Sequence, residues 1–163
     1  MEEENSCLII KIQITMRSRS DRFFLCKVAM EEMQENGIEK MVTKQYAIDA
    51  LTWSDAEARI SEVLAEYSKG EMEIKDIRLA KYEEIFFSES SDADKWFSAK
   101  LAYITIDEKS GKEKRKTHTH LFQASSLDDA NKCIADVMKE TMIDFDKTEI
   151  KDSKLFDVIE YGK

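Results

Sequence analysis

Phe24, Cys26, Val28 and Met30 occupy every second position of one stretch, and Phe97, Ala99, Leu101 and Tyr103 do the same in a later one. A period of two is what a half-buried strand requires. Each stretch is followed by a turn signal, Asn36-Gly37 and Ser110-Gly111, then by a second extended run, Val42 to Ile48 and Thr117 to Phe122. Both therefore predict a hairpin. The period then lengthens. Trp53, Ala56, Ile60, Val63, Leu64 and Tyr67 fall on one helical face, as do Leu127, Ala130, Ile134, Val137 and Met138. The helix starts carry matching cap signatures, Thr52-Trp53-Ser54-Asp55 and Ser126-Leu127-Asp128-Asp129. A last extended segment closes each pattern, Met72 to Phe87 and Lys147 to Tyr161, too long for one ordinary strand and so expected to bulge or break.

The two patterns run in the same order. Residues 22–87 and 95–161 lie over each other at an offset of 73 or 74, pairing Asp55-Ala56 with Asp129-Ala130, Ile60 with Ile134, and Ile85 with Ile159. The expectation is an α+β fold of tandem duplicated β-β-α-β units, mainly antiparallel, with one helix per unit. An N-terminal extension covers 1–21, the first repeat 22–87, an acidic linker 88–94 and the second repeat 95–163. Units of this size bury proportionally little surface alone, so the two repeats are expected to share one core. In the extension, Ile10, Ile12 and Ile14 alternate and suggest an edge strand or a loose tail, and Met16 offers an alternative start to Met1.

Charge narrows the function classes. Of the 163 residues, 34 are acidic and 25 basic, a net charge of −9, which argues against coating duplex DNA. No apolar run reaches the ~20 residues of a membrane span, and three glutamates precede Leu8-Ile9-Ile10 where a secretory signal would be basic. Cys7, Cys26 and Cys133 form no C-x-x-C pair and suggest neither a disulfide framework nor a zinc knuckle, in keeping with the cytoplasm. The four glycines are isolated, so no phosphate loop or dinucleotide fingerprint exists.

His118 and His120 are the sole histidines and the sole sensible bases for an enzyme; alternation sets both on one strand face, making them the metal candidates, though no third ligand stands nearby. Under the offset they fall opposite Lys44 and Tyr46. Catalytic residues and cofactors are otherwise not indicated. The second hairpin, Lys109 to Lys116, sets five basic residues against one acid. With Trp96 as a stacking platform, Lys112, Lys114, Arg115 and Lys116 would suit a single-stranded nucleic acid. The acidic stretch Glu83, Glu84, Glu89, Asp92 and Asp94 reads as solvated surface.

The stretches Glu84-Ile85-Phe86-Phe87-Ser88-Glu89, Ala93-Asp94-Lys95-Trp96-Phe97, Asp107-Glu108-Lys109-Ser110-Gly111 and Gln123-Ala124-Ser125 resemble an uncharacterised family of Bacteroidetes and their mobile elements, catalogued as domain of unknown function 4494. The resemblance covers about residues 22–161 and implies no catalytic residue. The expected function is a non-catalytic binding or adaptor protein acting on an unknown protein partner or on itself, with phage or mobile-element association implied by the resemblance. The alternative is a single-stranded nucleic-acid-binding accessory protein.

Overall fold

The computed structural model describes residues 16–68 and 70–161; Cys7 and the alternating Ile10, Ile12 and Ile14 lie outside them. In chain order the elements are β1 (Met16–Arg19), β2 (Phe23–Met33), β3 (Glu39–Asp49), α1 (Trp53–Ala65), β4 (Met72–Leu79), β5 (Glu84–Ser88), β6 (Lys95–Ile106), β7 (Glu113–Ala124), α2 (Leu127–Thr141), β8 (Asp144–Asp152) and β9 (Leu155–Ile159). The fold is α+β, mostly antiparallel. Among the described residues no helix is long and apolar enough to cross a membrane.

Both predicted hairpins form, β2 with β3 and β6 with β7. Their turns need glycine: Gly37 has φ 80° and Gly111 φ 67°, in the left-handed region that a Cβ disfavours. Both helices begin in a reciprocal cap. Thr52 Oγ1 accepts the Asp55 N–H at 3.1 Å while Asp55 Oδ2 accepts that of Leu51 at 3.1 Å. Ser126 Oγ accepts from Asp129 N–H at 3.1 Å, and Asp129 Oδ2 accepts from Ser125 N–H at 2.9 Å.

The long closing segments divide, and their second pieces do not join the sheet they follow. One compact unit comprises Asp21–Lys81 and the chain from Lys154, with strand order β4-β2-β3-β9; the other comprises Tyr82–Ser153 with β1, in the order β1-β5-β7-β6-β8. β5 lies parallel beside β7, and β9 parallel beside β3. The runs β2-β3-α1-β4 and β6-β7-α2-β8 each stay within one sheet, but the expected boundaries at 87 and 95 are corrected, because the strand that follows each run, β5 or β9, joins the other sheet. The physical reason is the length of the connections. To close its own sheet, β5 would have to pass from the β4 edge to the far side of β3 and lie parallel to it, which takes a crossover of about a dozen residues. Only residues 80–83 separate β4 from β5, and only Ser153 and Lys154 separate β8 from β9.

The two sheets repeat one another in detail. Without β1, their orders correspond strand for strand. The register shift of β2 against β4 falls between Lys27 and Val28, and that of β6 against β8 between Lys100 and Leu101. Register also corrects the sequence superposition by one residue at the last strand. Tyr46 pairs with Asp157 and His120 with Glu84, so Ile85 corresponds to Val158 and not to Ile159.

Each helix closes a core on its own sheet. Ala56, Ile60 and Leu64 of α1 pack in a cluster with Phe24, Cys26, Val28 and Ile48. Ile134 and Met138 of α2 pack with Phe86, Ala99, Leu101 and Phe122. Trp53 and Tyr67, predicted for the buried face of α1, are instead 50% and 74% exposed. β1 is an edge strand, antiparallel to β5.

Candidate functional site

The alternation of β7 sets His118 and His120 on the face that α2 covers, as the sequence predicts. Tyr103 of β6, with Glu83 and Glu84 at the start of β5, completes a cluster around them. The Tyr103 hydroxyl and His120 Nε2 are 2.8 Å apart, His118 Nδ1 bonds the Glu83 carboxylate, and the Tyr103 ring stacks on that of His118 at 4.1 Å. His120 is 4% exposed and its Nδ1 has no partner. Burial holds its pKa below the ordinary value, against the pull of Glu84 and Glu83. Burial thus favours the neutral form of the His120 imidazole. Among the described residues no group of three or more His, Cys, Asp or Glu is placed to hold a metal. The thiols are no better as nucleophiles, since burial pushes Cys133 up to about 11 and Cys26 up to about 12.

The basic hairpin departs from its expected chemistry. Trp96 is 2% exposed and meets Phe87 edge to face at 5.4 Å, so no base can stack on it. The hairpin cations are also partly engaged: Arg115 bonds Asp146 at 2.6 Å and Lys114 lies 3.4 Å from Asp107. Lys112 and Lys116 remain exposed. Phe23 and Phe24, flanked in sequence by Arg22, are buried at 3% and 6%. As neighbours on β2 they face opposite sides of the sheet: Phe24 packs in the core under α1, and Phe23 is buried on the other face.

The site that sequence reasoning missed lies in the other sheet, at the place corresponding to the histidine cluster. Tyr46 stands where His120 does, Lys44 where His118 does, and Met30 where Tyr103 does. The flexible, narrower Met30 leaves room that the tyrosine fills in the other sheet. Helix length adds to it, because α1 has 13 residues and α2 has 15. A cleft of about 510 Å³ results. Its apolar wall is Met30, Tyr46, Val63, Leu64 and Ile159, and the aromatic rings of Tyr67 and Phe156 flank it. Glu32 and Asp157 bring carboxylates and Lys44 one ammonium, while the Glu31 carboxylate lies against Gly70. Lys44 Nζ is 3.1 Å from Glu32 and 4.0 Å from the centre of the Phe156 ring, a cation–π contact. Phe156 in turn meets Tyr46 edge-on at 5.5 Å.

Tyr46 is 4% exposed and lines the cleft. Burial, with Asp157 and Glu32 adding to it, pushes that phenol up to about 12, so it keeps its proton. Asp157 is raised above the ordinary carboxylate value by loss of water around the carboxyl, against a bond from the Val158 N–H that lowers it. The sequence signal for this cleft was the mismatch within the superposition: Met30 against Tyr103, and Phe156 against Glu83. It could be read only once the register of β9 was known.

Comparison with curated proteins and with solved structures found no match. Residues 22–161 match the family model described as Domain of unknown function (DUF4494), which spans well over half of the chain, and the chain belongs to that family.

Proposed function

We propose that the chain is a non-catalytic binding module whose ligand enters the cleft of the β4-β2-β3-β9 sheet. The cleft itself carries the reading: its volume lies within the roughly 300–1,000 Å³ of small-molecule sites, and it joins an apolar wall to a few polar groups. Raised thiol pKa values and a histidine pair tied up by Tyr103 and Glu83 favour binding over catalysis. The free thiols of Cys26 and Cys133 agree with a cytoplasmic setting. Matching strand orders, bulge positions and caps support descent of both sheets from a tandem duplication, after which one copy kept an open cleft. A mobile-element role, suggested by the family resemblance, belongs to the same reading.

The test is a saturation-transfer NMR screen of fragments of mixed charge against the protein and against Val63→Trp, which fills the cleft. Hits that disappear in the variant are expected. Hits that all persist, or none at all, would remove the cleft as the binding site.

The exposed Lys112 and Lys116 sustain a second reading, binding of single-stranded nucleic acid at the hairpin without aromatic stacking. Anisotropy of a labelled oligonucleotide should then fall with salt and vanish when Lys112, Lys114, Arg115 and Lys116 become Ser. No binding at low salt ends it.

A further inference from the structure

We infer that the cleft takes an organic cation, an alkylammonium group on an apolar stem, which settles among Phe156, Tyr46 and the carboxylates of Glu32 and Asp157. The inference rests on the cleft being a binding site and names the chemistry it would select. Three features converge. First, the carboxylates of Glu32 and Asp157 and the ammonium of Lys44 line the space, a net charge of −1 if all three are ionised. Second, the protein already places a cation there: the Lys44 ammonium rests 4.0 Å over the Phe156 ring and pairs with Glu32, so ring and carboxylate form a working ammonium seat. Third, Tyr46 lines the space and brings a hydroxyl that keeps its proton. With carboxylates nearby, the partner that fits is donor-rich and positive, and an ammonium presents three donors and no acceptor. The wall of Met30, Val63 and Leu64 would bury the stem.

The experiment is a titration of the full chain, followed by amide shifts of Tyr46 and Phe156, with three molecules of one shape: n-hexylammonium, 1-hexanol and hexanoate. Hexylammonium should bind at least about tenfold more tightly than hexanol, the worth of one hydrogen bond to a charged group, and weaken as salt is raised. Tyr46→Phe should weaken the cation by a similar factor with the core intact. Lys44→Met, by removing the resident cation, should tighten it severalfold. Nα-acetyl-lysine N-methylamide distinguishes the sources: binding equal to that of hexylammonium points to a lysine side chain of a partner, weaker binding to a free amine, and either result supports the cation. Tighter binding of hexanoate, lost in Lys44→Met, would overturn the inference and make Lys44 an anion anchor. Equal binding of hexanol and hexylammonium would overturn it as well. In both cases the cleft stands as a binding site. Failure of all three, together with no fragment lost in Val63→Trp, removes both readings.

Discussion

The bond to Tyr103 is, among the described residues, the sole hydrogen bond of the buried His120 imidazole, whose other nitrogen has no partner there. Tyr103→Phe would leave both nitrogens unsatisfied, and the loss should be about 1–3 kcal/mol of unfolding free energy, read from urea denaturation at pH 7.5. Burial adds a pH dependence whose sign is fixed. The unfolded imidazole titrates near 6.5, and the folded one lies lower. As pH falls through 6.5, the unfolded chain takes up a proton that the folded chain refuses. Stability present above that pH is therefore lost progressively toward the folded value. His120→Phe, placed beside Phe86 and Phe122, removes this contribution. Its loss of stability between pH 7.5 and 5.5 should be smaller than that of the native chain, and an equal loss would refute the assignment. The sequence placed the two histidines on one face correctly because strand alternation is local. It missed their partners because Glu83 and Glu84 reach them only through the pairing of β5 with β7.

Helix ends show how far local chemistry decides an element. Thr52 and Ser126 each satisfy one free amide at a helix start, and the Asp three positions on returns the bond to the preceding turn. These caps were legible in the sequence because four consecutive residues contain the whole interaction. Thr52→Ala and Ser126→Ala should each cost about 1 kcal/mol, with the Asp bonds left in place. The far end of α2 was not legible. Met142 adopts φ 57° there and is 92% exposed, so a left-handed stop is made by a residue with no conformational preference for it. Met142→Gly relieves a strain of about 1–2 kcal/mol, offset in part by the greater freedom of glycine in the unfolded chain. A rise in Tm is expected, and a fall would show that the methionine side chain contributes contacts the exposure does not suggest. Trp53 and Tyr67 show the opposite failure. Both fit the helical period of α1, yet periodicity does not reveal where the sheet beneath the helix ends.

Strand exchange is the property of the whole molecule, and hydrophobic pattern alone could not reveal it. Ile85, Phe86 and Phe87 read equally well as the last strand of either sheet, and the deciding quantity is the reach of residues 80–83 and of Ser153-Lys154. Each sheet takes its parallel strand from the segment that continues the other pattern. A polypeptide of residues 22–88 alone would carry β2, β3, α1 and β4 with the side of β3 unpaired, and β5 with no β7 beside it. Its connection is still too short for β5 to close its own sheet, but β5 of one copy can lie against β3 of another. Two such copies satisfy both open sides reciprocally, with Ile85 in the place of Val158, since the register of the two parallel pairs is the same. The expected product is a folded homodimer in sedimentation equilibrium, dissociating together with unfolding. Pairing can be verified by Phe86→Asp, which puts a charge on the face that packs under the helix and should abolish the dimer. A folded monomer of residues 22–88 with β5 paired to β3 would contradict the topological argument directly, because it would require β4 and β5 to be joined across the sheet by four residues.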